Sequence, residues 1–279
     1  MTSVIVDKAK YGPWALIAGA SDGVGAAFAE AVARNGINVV LLARRAELLN
    51  QLAQDIQSRT GVETRVLVTD LGAADATESI VTATAGLDIG LLVYCAGADA
   101  DFTHFLENSI AASERMLQRN CLIPMQLSHQ FGQAMVERGR GGIVILSAGS
   151  AFVGAPNMAV YGATKAFDMI FAESLWAELR GQSVDALAVV LGETDTPSLR
   201  RLREERGLAG PNEPIPGATT AEEVVDAAFK TLGKNPTCMA GKQIRWAARL
   251  ICPIPRGVLV RLTERVIRRA MGSDDKSSA

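Results

Sequence analysis

With 279 residues, 48% of them apolar and 21% charged, the chain can bury a substantial core, which excludes a disordered or fibrous protein. Its 28 basic and 30 acidic side chains leave a formal net charge of -2, so no overall basicity argues for nucleic acid as a partner. The opening MTSVIVDKAK has no basic stretch leading into an apolar run, and Cys95, Cys121, Cys238 and Cys252 form no CxxC pair. A cytoplasmic protein without a disulfide framework or a metal site is expected.

Apolar runs of strand length alternate with segments of helical period, the pattern of a parallel sheet covered on both faces. Strands are predicted near Trp14–Ala18, Asn38–Ala43, Thr64–Thr69, Ile89–Tyr94, Gly142–Ser147 and Val184–Leu191, with helices between them. Gly36 closes the first of these helices, and Thr60–Gly61 turns the chain before the third strand. Thr194–Gly217, broken by Pro197, Pro211, Pro214 and Pro216, reads as a mobile loop or short helices, and a further helix is predicted over about Thr220–Leu232. The fold class is α/β, a doubly wound Rossmann-like sheet in a single domain. Residues 1–241 form that domain, with residues 194–217 as a lid, and residues 242–279 form a basic extension.

The first strand runs into Gly19-Ala20-Ser21-Asp22-Gly23-Val24-Gly25 and then an Ala-rich helix. Glycines at such a turn let the backbone approach a pyrophosphate, whose charge is met by free amides and the helix dipole. The spacing is GxxxGxG, unlike the GxGxxG of the commoner dinucleotide fingerprint. After the second strand, where an acid would bind the 2′-hydroxyl of NAD, the sequence reads Ala43-Arg44-Arg45. A guanidinium suits the 2′-phosphate of NADP, so NADP(H) is preferred over NAD(H), with Arg44 as selector and Arg45 in reserve; Asp22 mildly opposes this reading.

Taken together, these residues resemble the short-chain dehydrogenase/reductase family. Ala18–Gly25 is similar to its TGxxxGxG and Tyr94–Gly97 to its NNAG. Asp70-Leu71, Asn120, the YxxxK of Tyr161 to Lys165, and Gly192 with Thr196 follow in the family's order. The resemblance spans residues 14–197. It implies that Gly19, Ser21, Asp22, Gly23, Val24, Gly25, Asp70, Leu71, Ala96, Gly97, Gly192 and Thr196 bind cofactor, and that Lys165 holds the nicotinamide ribose. It also implies that Asn120 orders a water beside Lys165, and that copies pair through the helices carrying Asn120 and Tyr161 into a dimer or tetramer.

Tyr161 and Lys165 are four apart on a helix and share a face. A nearby ammonium stabilises a phenolate and brings a tyrosine from near 10 toward working pH. Reduction of a ketone by hydride leaves an alkoxide that must be protonated, so such a tyrosine serves as acid in reduction and base in oxidation. The family's substrate-polarising Ser is replaced by Ala148. Rescue by Ser147 requires a one-residue loop insertion or a bulge, because in a regular strand it faces the other way from Ala148, whereas Ser150 reaches in from the loop. Without rescue, the alternative is a catalytically weak dinucleotide-binding protein.

Substrate is expected at the carboxyl ends of the strands, among Phe102, Phe105, Phe152, Val153, Pro156, Met158 and Leu199. These apolar side chains with few fixed charges suit a hydrophobic ketone or alcohol of steroid, terpenoid or acyl type, unless they only pack the lid. Beyond Lys242 the chain holds seven arginines, among them Arg245, Arg249, Arg256 and Arg261, against the single acid Glu264 as far as Arg269. Leu259, Leu262 and Val266 fall on one helical face and Arg261, Arg265 and Arg268 on another. Docking of this helix on the protein itself or on a partner subunit is favoured over peripheral contact with an anionic membrane.

Overall fold

The computed structural model describes residues 5–97, 102–251, 254–258 and 261. A short helix α1 (Lys8–Tyr11) precedes the alternation of β1 (Trp14–Ala18), α2 (Gly23–Arg34), β2 (Asn38–Ala43), α3 (Ala46–Thr60), β3 (Thr64–Val68), α4 (Ala76–Ala83) and β4 (Ile89–Tyr94). Next, α5 (Ile110–Leu117) continues through a π-helical turn, Gln118–Leu122, into α6 (Ile123–Arg138). β5 (Gly141–Ala148), α7 (Ala159–Leu179) and β6 (Val184–Leu191) complete the regular part.

Seven parallel strands pair in the order β3-β2-β1-β4-β5-β6-β9, where β9 is Thr237–Ala240. Every residue of β1 and β4 is buried, as strands covered on both faces require, while the edge strand β3 has only half-buried and exposed residues. One face packs Phe28 and Val32 of α2 and Leu49 and Ile56 of α3 against the sheet, together with Val224 of α9 (Ala221–Thr231). The other packs Ile80, Leu127, Met169 and, from α10 (Lys242–Ile251), Ile244. From β1 the strand order runs to β2 on one side and to β4 on the other, and this reversal leaves a crevice at the carboxyl ends of β1 and β4.

The six predicted strands form at or within a residue of their predicted limits. The seventh, β9, is only four residues long and borrows its definition from β6, against which Ala188 pairs with Thr237 and Leu191 with Ala240. Residues 194–217 are more ordered than a loop. β7 (Thr194–Asp195) pairs in parallel with β8 (Thr219–Thr220), and between them lies α8 (Pro197–Glu205). Thr196 caps α8 by accepting the Leu199 amide, and Arg200 grips Asp195 through two bonds of 2.6 Å. Beyond α10, Arg256 pairs with Glu173, a buried acid of α7 that also accepts the Thr237 hydroxyl at 2.6 Å. Leu259, Leu262, Arg265, Val266 and Arg268 lie outside the described residues.

Candidate active site

α2 begins at Gly23, directly after β1 and its turn, so the positive end of its dipole lies in the crevice. Gly19, Ser21, Asp22, Gly23, Val24, Gly25, Arg44, Arg45, Asp70, Leu71, Ala96, Gly97, Tyr161, Gly192 and Thr196 all line one cleft of about 510 Å³. Its floor is glycine by necessity. A Cβ on Gly25 would strike the Gly19 carbonyl, and one on Gly19, whose φ is +85°, would stand 2.8 Å from the Ala96 nitrogen. This backbone cradle at a helix N-terminus fits the pyrophosphate of a dinucleotide.

Charge around the cradle is paired. Asp22 accepts the Gly23 amide at 2.8 Å, and its other oxygen meets Arg45 at 3.1 Å and Arg201 of α8 at 3.0 Å. The acid that mildly opposed the NADP reading is thereby paired with two guanidinium groups, and it links the lid helix to the glycine loop. Arg45 also donates to the Ser21 hydroxyl, whereas Arg44 remains directed to the cleft. Asp70 is held below the usual carboxylate range by the Gly72 amide and by Arg115 at 2.8 Å.

At the other end of the cleft, α7 presents Tyr161 to the opening and Lys165 behind it, with the ammonium 6.0 Å from the Tyr161 ring centre. Lys165 is buried, and its Nζ donates to the Leu146 carbonyl at 3.0 Å and to Asp168 at 2.9 Å. Burial pushes the Asp168 carboxyl up to about 6 against the opposing pull of Lys165. Asn120, fully buried in the π-helical turn, donates to Thr164 at 2.9 Å and to the Gly97 carbonyl at 3.3 Å, joining α7 to the loop after β4. Gly97 fits tightly here, because a Cβ would lie 2.9 Å from Asn120 and 3.0 Å from Lys165. Where the NNAG pattern has its first Asn stands Tyr94, whose hydroxyl donates to the Arg119 carbonyl at 2.5 Å. Beside Gly192 stands Ile244 of α10, which a Cβ on that glycine would meet at 3.3 Å.

Three sequence expectations change. β5 keeps a regular parallel register through Ala148, so Ser147 faces α7 rather than the cleft; its buried hydroxyl donates to the Lys165 carbonyl at 2.7 Å. Ser150, in a 3-10 turn after β5, lines neither the cofactor cleft nor the adjoining cavity, and its buried hydroxyl has no hydrogen bond among the described residues. Phe152 lines a separate cavity of about 880 Å³ with Cys238, Met239 and α10. Phe102, in contrast, stands edge-on to the Tyr161 ring at 6.1 Å.

Next to Tyr161 a second cavity of about 660 Å³ opens between α5 and α8, walled by Phe102, Met116, Leu199 and Leu202. It also contains Arg44, Arg115, Arg119 and Arg201, so this region is more cationic than its apolar residues alone suggested. Arg119 and Asp168 escaped sequence reasoning. The available signals were an arginine immediately before Asn120 and a carboxylate three residues after Lys165 on the same helix.

A glycine cradle at a strand-order reversal, with a Tyr-Lys pair at its mouth, defines a dinucleotide-binding α/β protein of the oxidoreductase type. The family model for short chain dehydrogenase matches residues 13–207, and the chain belongs to that family. It is 36% identical over 236 residues to the 7beta-hydroxysteroid dehydrogenase of Collinsella aerofaciens, covering 85% of this chain and 89% of the relative. It is 31% identical to the human very-long-chain 3-oxoacyl-CoA reductase, over 80% of this chain and 69% of that protein. A solved structure from work on 7beta-hydroxysteroid dehydrogenase stereoselectivity superposes with a TM-score of 0.80 at 34% identity, over 91% and 98% of the two chains. A short-chain dehydrogenase from Sphingobium yanoikuyae in complex with NADPH gives 0.74 at 26% identity, over 96% and 98%. The hydroxysteroid dehydrogenase and the 3-oxoacyl-CoA reductase share by name an oxidoreduction between alcohol and ketone. Among the described residues no helix is long and apolar enough to cross a membrane.

Proposed function

We propose that the protein is an NADP(H)-dependent oxidoreductase that interconverts a secondary alcohol and a ketone on a hydrophobic substrate of steroid or acyl type. The observation that carries this reading is the placement of Tyr161 at the junction of the glycine-floored cleft and the cavity beside it. The glycine loop and the α2 terminus would hold the pyrophosphate, and Arg44 the 2′-phosphate. Bound nicotinamide supplies or accepts hydride. Tyr161 gives a proton to the oxygen developing negative charge, or takes one in the reverse direction. Lys165 stabilises the phenolate left behind. Asn120 fixes the loop after β4 against α7, so that the tyrosine and the cradle keep their relative positions. Phe102, Met116, Leu199 and Leu202 suit an apolar ring system or chain, and the neighbouring arginines suit a carboxylate or phosphate elsewhere on the same molecule.

Exposed Ile110, Leu117, Leu122, Met125 and Ile170 on α5, α6, α7 and the turn between α5 and α6 support assembly of copies through these helices. Sedimentation velocity at micromolar concentration should then give a dimer or larger.

The test of the activity is NADPH oxidation with a panel of ketosteroids and 3-oxoacyl thioesters. Tyr161→Phe should lower turnover by about 100-fold to 10,000-fold while NADPH still binds. An unchanged rate would remove Tyr161 from the mechanism. A second reading, a dinucleotide-binding protein with feeble turnover, is favoured by one observation: Ala148 faces the cleft, and neither Ser147 nor Ser150 does.

A further inference from the structure

We propose that Asp168 is a positioning residue for the reaction, the counter-ion that keeps Lys165 charged inside the protein and so keeps Tyr161 able to form its phenolate. This rests on the role given to Tyr161 above, but its test requires no turnover.

Both partners of the pair are nearly removed from solvent, Lys165 at 5% and Asp168 at 1% exposure, and they meet at 2.9 Å. A buried ammonium favours its neutral form unless an anion opposes the loss of hydration. Nζ also donates to the Leu146 carbonyl, which supplies a dipole rather than a charge. Among the described residues, the other acidic groups around the pair, Tyr161 apart, fail as anions at working pH. Cys95 and Cys121 are pushed up by burial, Cys121 to about 11, and burial drives the Tyr94 phenol well above its ordinary value. Arg119, packed on Asn120, is itself a cation. Asp168 is thus the only carboxylate among the described groups that face Lys165. Its second oxygen has no hydrogen bond among the described residues, so the carboxylate stays ionised largely on account of the lysine.

Two effects of Asp168 on Tyr161 oppose each other. As a negative charge it repels the phenolate directly. The two residues are seven positions apart on α7, however, which is about 10 Å along the helix axis. As a counter-ion it sustains a cation that lies 6.0 Å from the Tyr161 ring centre, and this nearer effect dominates. The sign of the net effect therefore identifies the role.

The protein has three tyrosines, and Tyr11 and Tyr94 are both driven upward, chiefly by burial, so alkaline titration of phenolate absorbance reads Tyr161 first. Tyr161→Phe, which should remove that first transition, is the control. In Asp168→Asn, at the pH where the unaltered protein is half ionised, phenolate should fall about tenfold, as it does when a tyrosine loses a nearby cation. Asp168→Glu, which keeps the charge, should restore most of it. Phenolate that is unchanged or increased in Asp168→Asn overturns the proposal, and so does a Glu variant displaced as far as the Asn variant, because packing rather than charge would then be the cause. If Asp168→Asn fails to fold, a thermal-denaturation cycle over Lys165→Met and Asp168→Leu decides instead. The double variant should be more stable than either single one, and additive losses overturn the pairing. A titration that behaves as expected in a protein that reduces no ketone would leave the coupling of Asp168 through Lys165 to Tyr161 standing and remove the proposed function. Normal turnover with an unmoved titration would do the reverse.

Discussion

The two ends of the cleft are built from different materials. The end proposed for the cofactor is made mainly of backbone, a glycine loop and a helix terminus, accompanied by surface ion pairs such as Asp22 with Arg45 and Arg201. The end proposed for catalysis is made of buried side chains bonded to one another and to nearby carbonyls, Lys165 to Asp168, Asn120 to Thr164, Ser147 to the Lys165 carbonyl and Tyr94 to the Arg119 carbonyl. A backbone-built site tolerates changes of side chain and tolerates no added atom where the chain passes close to itself. A site built from side chains behaves in the opposite way, since exchanging one residue reassigns the partners of its neighbours.

The sharpest break should come at Gly25, where the first added carbon collides with the Gly19 carbonyl and lies 3.2 Å from the Ala20 Cα. Gly25→Ala should weaken NADPH binding by at least about 100-fold, because the loop must open to admit the methyl group. Calorimetric titration that found near-normal affinity would refute the backbone account of the cradle. At Arg44 the effect should be smaller and selective. Loss of a charge-assisted bond to the 2′-phosphate should weaken NADPH by about 10-fold to 100-fold in Arg44→Ala and leave NADH almost unchanged. Arg45→Ala should matter less, because that guanidinium is already engaged by Asp22 and Ser21. Tighter binding of NADH than of NADPH by the unaltered protein would contradict the role given to Arg44.

The same contrast explains what could be read from the amino-acid sequence. Strands covered on both faces are continuous apolar runs, so β1, β4, β5 and β6 stood out, whereas Thr237–Ala240 is short and is a strand only because β6 lies beside it. Glycine spacing reports backbone geometry directly, and for that reason the cradle was evident. Burial of a charged residue is not written in local spacing. Asp168 and Glu173 look like solvent-facing acids on a helix, yet each is a nearly inaccessible partner of a distant or neighbouring cation. Ser147 shows the same limit from the other side. Strand alternation correctly pointed it away from the cleft unless a bulge intervened, and only the register between β5 and β6 shows that no bulge is there.

The smallest expected effect is also the one that separates the two functional readings. Ala148, the last residue of β5, lies in extended conformation with its side chain on the cleft that Tyr161 shares. A hydroxyl introduced there would add one hydrogen bond to the substrate oxygen, worth about 0.5–1.5 kcal/mol net. Ala148→Ser should therefore raise turnover by about 2-fold to 10-fold if the unaltered protein is already a working enzyme, with NADPH affinity unchanged because the cradle is untouched. If the unaltered protein only binds dinucleotide, the same substitution should instead convert undetectable ketone reduction into a measurable rate. A fall in rate would mean that the space beside Ala148 is already occupied by substrate, and that the oxygen is polarised from another wall of the cavity.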